Sequence, residues 1–310
     1  MFMSVKQTSP VAIHTIATRF LRTVLRGVGQ IYLQRSAWCG LACLAALALQ
    51  SVNMAIACLL GAITATLLGH AFADRGTLDD GIQGFNGALA GLGVMVVLKP
   101  GALAWCLVLL MALVATWLAQ AWRERLSLPP YTAPFVLVTW SLMAVAGPLG
   151  LPVADGSAIV AVSWGYPADA VLRGIGQVIF LDLPWAAALC AAGLALSSLR
   201  VAASALLAAA LALACAFLLR LPLDLTGLGL YGFNAVLTVE AIRPQAGRRW
   251  WLLLAAIPLS IALTRGFQLA GLPSLTAPFI ASTWLLQRAC SAGRPETTMH
   301  PATLQQRGPH

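Results

Sequence analysis

The chain has 310 residues, of which 60% are hydrophobic and only 9% charged, with a mean hydropathy of +0.84. Those proportions exclude a water-soluble fold and place the chain among integral membrane proteins. The net charge of +9, from 19 Lys and Arg against 10 Asp and Glu, belongs in a chain this apolar to the anchoring of cytoplasmic loops, and no nucleic-acid partner is expected.

Taken in chain order, the N-terminus carries a lone Lys6 among polar residues, without the charged, apolar and small-residue stretches of a signal peptide, and is expected to stay on the mature protein. The block LRGVGQ at 25–30 follows. Its spaced glycines let helices approach closely, and Gln30 is its one amide. Apolar helices are predicted near 37–51 and 53–70. GFNGAL at 84–89 opens a third near 84–98, where Phe85 and Leu89 at i, i+4 form one apolar stripe flanked by Asn86 and glycine. In hydrocarbon an Asn needs a partner, so Asn86 is also a candidate to tie down irregular backbone. A helix near 101–121 comes next, then LPPYTAPFVLVTW at 128–140, which opens a helix near 132–147. There Thr132 stands before Ala133, Pro134 and Phe135, an arrangement suited to an N-cap with Pro in the first turn.

After residue 147 the sequence repeats itself. LRGIGQ at 172–177, GFNAVL at 232–237 and LPSLTAPFIASTW at 272–284 return in the same order at offsets of 147, 148 and 144. The matched letters include Arg, Gln, Asn, Thr and Pro, so apolar low complexity does not account for them. The second set carries Gln177, the stripe Phe233 and Leu237 beside Asn234, and Thr276 before Ala277, Pro278 and Phe279. Counterpart helices are predicted near 185–199, 201–219, 228–241, 250–264 and 276–287.

This divides the chain into a first transmembrane repeat at 1–147, a periplasmic linker at 148–171, a second repeat at 172–290 and a polar, Pro-rich cytoplasmic tail at 291–310. An odd number of crossings per half inverts the second half relative to the first, as in many transporter folds. With both termini inside, all Lys and Arg except Lys99, Arg173, Arg220 and Arg265 fall on the cytoplasmic side, which agrees with inversion. A helix from Thr276 to Arg288 covers about 18 Å, roughly half the hydrocarbon thickness. Two such starts related by inversion put both hydroxyls near the midplane, where irregular backbone survives only beside a cavity. Either the LRG or the FN segments are the re-entrant pieces.

Other chemistries find little support. The seven cysteines and four histidines are scattered without metal-ligand spacing, so neither a metal nor another cofactor is expected. No pairing of nucleophile with base recurs at plausible depth, which argues against an enzyme. The alternative within transport is an ion-coupled secondary transporter of another small polar solute, which needs a titratable group in the membrane. Glu240 is its one serious candidate, and Arg243, a helical i, i+3 neighbour, offers it a partner instead.

At LRGxGQ, GFNxxL and LPxxTAPF, each present twice, the chain resembles the urea transporter family, from about Leu25 to Trp140 and again from Leu172 to Trp284. The resemblance implies an all-α integral membrane protein of two inverted homologous halves, with about ten membrane-spanning helices plus two re-entrant pore helices. It implies a homotrimer in the cell inner membrane, each protomer with its own pore, conducting urea and close small amide analogues passively. Phe85, Leu89, Phe233 and Leu237 would line slots for a flat solute, Gln30 and Gln177 would accept its hydrogen bonds, and Thr132 and Thr276 would line the constricted centre. The family pattern places Phe three residues after the first-block Gln. Phe180 fits, but Leu33 stands in the first half and Gln34-Arg35-Ser36 replaces the usual Asn-Asn-Pro, so one slot is built differently. A neutral, planar solute rich in donors can shed water against a row of acceptors, whereas an ion meets uncompensated desolvation.

Overall fold

A computed structural model describes residues 10–155, 167–247 and 249–292. Lys6, Arg248, Arg294, Arg307, linker residues 156–166 and the expected tail from 293 onward lie outside the described residues. Among the described residues the chain is helical, and its β structure is one isolated antiparallel bridge between Leu98 and Val153.

The first half consists of α1 (Pro10–Gly29), a 3-10 turn (Gln30–Tyr32), α2 (Ala37–Gln50), α3 (Val52–Gly69), α4 (Arg75–Asp79), α5 (Gly84–Val97), α6 (Ala102–Arg125) and α7 (Ala133–Ala146). The second half repeats it in order: α8 (Pro167–Gly176), a 3-10 turn (Gln177–Ile179), α9 (Pro184–Ser197), α10 (Leu199–Leu218), α11 (Leu223–Gly227), α12 (Gly232–Ala246), α13 (Trp251–Leu269) and α14 (Ala277–Ala292). The ten helices expected from apolar runs are present within a few residues. Four elements lie outside the apolar runs: α1 and α8, whose glycine-spaced surfaces the LRG blocks marked and which carry Arg19, Arg22 and Arg26 in the first and Arg173 in the second, and the short α4 and α11. A hydropathy window passes over a helix whose charged face dilutes its apolar one.

Local chemistry fixes several boundaries. Ser36 caps α2 by accepting from Cys39 N–H at 3.2 Å, and Ser51 both ends α2 and caps α3 through Met54 N–H. Pro134 and Pro184 stand in the first turns of α7 and α9, where a missing N–H costs nothing. Small residues set the packing distance. A Cβ on Gly61 of α3 would lie 2.1 Å from the carbonyl oxygen of Gly87 on α5, so these two helices meet backbone to backbone.

Large apolar side chains point outward, among them Leu109, Leu110, Leu113 and Trp117 on α6 and Leu206 and Leu207 on α10, as on a lipid-facing wall. By length and composition α3, α6, α10 and α13 can each cross a membrane. The α1–α2 and α8–α9 pairs pass the same test only as bent pairs, broken by 76° and 74°. The protein is therefore an all-helical, multi-pass membrane protein. At about 21 Å for their 14 residues, α5 and α7 fall short of a full hydrocarbon core.

Candidate functional site

The LPxxTAPF blocks build the centre of the molecule. Tyr131 and Leu275, each one residue before the block's threonine, hold left-handed backbone at φ 45° and φ 43°. A bulky residue there is strained, and the same strain at equivalent positions of both halves marks a purpose beyond chain reversal. It turns the chain so that α7 and α14 begin face to face. The hydroxyls of Thr132 and Thr276 then share a 2.7 Å hydrogen bond.

Thr132 occupies the N-cap position of α7 as its sequence suggested, but its hydroxyl makes no capping bond. Asn86 of α5 supplies the cap. Its amide nitrogen donates to Tyr131 carbonyl oxygen at 3.0 Å, and its amide oxygen accepts from Phe135 N–H at 3.2 Å. Asn234 of α12 repeats this with Leu275 carbonyl oxygen at 3.2 Å and Phe279 N–H at 3.1 Å. A primary amide offers donor and acceptor side by side, which is what a helix start after an irregular turn lacks. The hydroxyls of both threonines are thereby released to each other.

The two halves also hold each other reciprocally. Trp140 Nε1 donates to Pro273 carbonyl oxygen at 2.8 Å, and Trp284 Nε1 donates to Pro129 carbonyl oxygen at 2.9 Å. Trp140 and Trp284 are equivalent, as are Pro129 and Pro273, so segment i meets j and j meets i, the pattern of a two-fold relation. Sequence reading quoted both tryptophans inside the repeated block without giving them a role; their recurrence was the available signal.

The other sequence-predicted residues are buried or half-buried. Phe85, Leu89, Phe233 and Leu237 are buried in one continuous apolar cluster, with Leu33 and Phe180 packed against it. Leu33 and Phe180 end their 3-10 turns in matching left-handed conformations, both at φ 61°. The Phe180 ring meets Phe135 edge-on with centroids 6.3 Å apart. Leu33 offers no ring at the equivalent place.

Gln30 and Gln177 are both buried, and each commits its amide nitrogen: Gln30 Nε2 donates to Asp80 carbonyl oxygen at 2.9 Å, and Gln177 Nε2 to Asp182 Oδ1 at 2.7 Å. That fixes which end of each amide is engaged and leaves the carbonyl oxygen as the acceptor on offer. Gln50, which sequence reading did not single out, bridges the halves by donating to Phe180 carbonyl oxygen at 2.8 Å and accepting from Asp182 N–H at 2.7 Å.

Glu240 of α12 is buried and engaged on both carboxylate oxygens. Its Oε2 accepts from Arg243 Nη2 at 2.9 Å and Nε at 3.2 Å, and its Oε1 accepts from the Ser204 hydroxyl of α10. A carboxylate held on both oxygens by a cation and a hydroxyl is a structural ion pair. Among the described residues no group of three or more His, Cys, Asp or Glu is placed to hold a metal ion.

The chain is 28% identical over 300 residues to Urea transporter 1 of Ovis aries and of Capra hircus, covering 87% of this chain and 77% of each relative. It is 26% identical over 298 residues to Urea transporter 1 of Rattus norvegicus, with the same coverage. The sequence model of the family described as urea transporter matches residues 21–290, a span that takes in both copies of all three repeated blocks, and the chain belongs to the urea transporter family.

Proposed function

We propose that this protein conducts urea passively across the membrane, through a narrow uncharged path at the junction of its two halves. The observation that carries the reading is the pairing of Thr132 and Thr276 at strained, Asn-strapped helix starts, because irregular backbone within hydrocarbon is tolerated only where protein or a cavity covers it. Family membership and the relatives' names support urea as the solute.

In this reading the two halves are inverted, with an axis in the membrane plane. Residues 1–147 and 172–290 form the repeats, joined by a periplasmic linker at 148–171, and 291–310 forms a cytoplasmic tail. About ten helices make up the membrane-embedded body, and α1 and α8 are the re-entrant pore helices. The 76° and 74° breaks after α1 and α8, together with the distribution of Lys and Arg, support that arrangement. The protein sits in the cell inner membrane as a homotrimer, both termini cytoplasmic, surrounded by lipid.

Flat slots are lined by Phe85, Leu89 and Leu33 on one side and by Phe233, Leu237 and Phe180 on the other. Urea slides edgewise between these side chains, its N–H groups passing among Gln30, Gln177, the threonine hydroxyls and nearby backbone carbonyls. Each site replaces part of the lost hydration without holding the solute tightly, which is what conduction requires. An ion gains no such replacement. Close amides such as formamide share urea's chemistry and pass to a degree set by width.

Purified protein in proteoliposomes tests the reading by comparing uptake of urea, formamide, acetamide, glycerol and sodium, with and without a proton gradient. Rapid urea uptake that ignores the gradient is the expected result. Accumulation of solute that follows the gradient would reject passive conduction.

A further inference from the structure

Away from the junction, the face formed by α1, the start of α2 and the end of α9 carries a cavity of about 630 Å³. It includes none of the residues assigned above to the solute path. Leu21 and Leu25 of α1, Leu41 of α2 and Leu196 of α9 make its apolar wall, and Trp38, 67% exposed, stands at its lip. Arg22, Arg26 and Arg35 bring positive charge to the same space.

A second, smaller cavity of about 290 Å³ shares Arg22 and Arg26 with the first, and is otherwise lined by Arg19, Thr23 and Asp79. The two spaces therefore form a polar recess and an apolar groove with arginines between them. Arg19 is tied to Asp79 by an ion pair and Arg35 to Asp80 at 3.0 Å. Arg26 spends Nη1 on Asp79 carbonyl oxygen at 2.9 Å, while its Nε is buried without a protein partner. Counting side chains, the recess holds three guanidiniums against one carboxylate, so it favours an anion.

We propose that this paired cavity is a binding site for an anionic glycerophospholipid, its phosphate held by Arg22 and Arg26 and an acyl chain lying along the leucine wall. An amphiphile matches both halves of the site, whereas a free anion leaves the groove empty and a neutral lipid leaves the guanidiniums uncompensated. Basic pockets between membrane helices are suited to acidic lipid head groups, and an exposed Trp at the lip suits the level where head groups meet chains. Because α1 ends in the turn that carries Gln30, an occupied site also braces the helix that positions that amide.

The test uses the full-length protein in mild detergent, with lipid retention read by native mass spectrometry. Phosphatidylglycerol should be retained at least about tenfold over phosphatidylcholine, Arg22→Gln should weaken that retention about fivefold, the effect of one guanidinium near a membrane surface, and Arg265→Gln, away from the cavity, should leave it unchanged. Trp38→Ala, at an exposed position, gives a second variant should Arg22→Gln fold poorly, and should also lower retention. Equal retention of the two lipids would overturn the proposal, as would full retention in both cavity variants. Displacement of phosphatidylglycerol by millimolar inorganic phosphate would make the recess a free-anion site and overturn the lipid assignment. A change of oligomeric state in Arg22→Gln with retention unaltered would make the face a contact between copies of the chain and equally overturn it. None of these readouts depends on urea flux.

Discussion

The hydroxyls of Thr132 and Thr276, 144 residues apart in sequence, share one hydrogen bond 2.7 Å long where α7 and α14 begin. Each is freed for that contact by an Asn that caps its helix, Asn86 in the first half and Asn234 in the second. The junction is thus held by two amides, and its centre is left with two hydroxyls that can turn toward a solute.

Replacing either threonine removes a hydroxyl from the centre without changing side-chain volume. Thr132→Val or Thr276→Val should lower urea flux about fivefold, the worth of roughly one hydrogen bond. Thr132→Ser should stay near the parent rate. Stopped-flow light scattering on proteoliposomes measures this, and unchanged flux in both Val variants would remove the pair from the pathway.

Removing a strap acts on stability first. Asn86→Ala leaves Tyr131 carbonyl oxygen and Phe135 N–H unpartnered in a buried site, at a cost of about 2–4 kcal/mol. A lowered unfolding temperature in detergent, together with reduced flux, is the expected outcome. A variant as stable as the parent would show that the strap is dispensable.

Width at the first slot depends on Leu33, which stands where the second half has Phe180. Leu33→Phe should slow acetamide relative to urea by about tenfold, since a pocket feels one methyl group by that order. Phe180→Leu should shift the ratio the other way. The comparison is of flux ratios, so a general loss of protein does not mimic it.

Gly61 lies where a Cβ would meet the Gly87 carbonyl oxygen at 2.1 Å, whereas nothing lies within 4 Å of a Cβ built on Gly147. Gly61→Ala should cost about 1–3 kcal/mol through forced separation of α3 and α5. Gly147→Ala should be tolerated. Thermal unfolding of the two variants in parallel checks the contrast.

Asp74 caps α4 by accepting from Thr77 N–H at 3.0 Å and from the Thr77 hydroxyl at 2.7 Å. Those bonds, the backbone one foremost, stabilise the charged form and hold the carboxyl below its ordinary value. The cap is therefore fully present above the ordinary carboxylate range and is lost as pH falls through the lowered folded value. Amide exchange at residues 77–80, corrected for intrinsic rate, should quicken only in acid, and Asp74→Ala should show the fast rate at neutral pH.

The sequence by itself determined that this chain lives in a membrane, that it is written twice, and where ten of its helices run. Apolar runs and repeated letters survive without any knowledge of which segment touches which. It also marked the threonines that meet and the asparagines that cap their helices, because Asn and Thr recurring within apolar surroundings have few other reasons to be there. What it could not decide was their partners. Thr132 looked like a cap and is a bridge, because the acceptor that caps α7 comes from Asn86, 49 residues from Phe135 in sequence and adjacent only once α5 and α7 pack. What holds the charged faces of α1 and α8 was hidden for a related reason: their arginines are accommodated by Asp79 and by Asp182 and Gly227 carbonyl oxygens from other segments, and such pairings exist only in three dimensions. Propensity and hydropathy act along the chain, whereas polar groups in hydrocarbon must be satisfied across it, and that choice belongs to the tertiary structure.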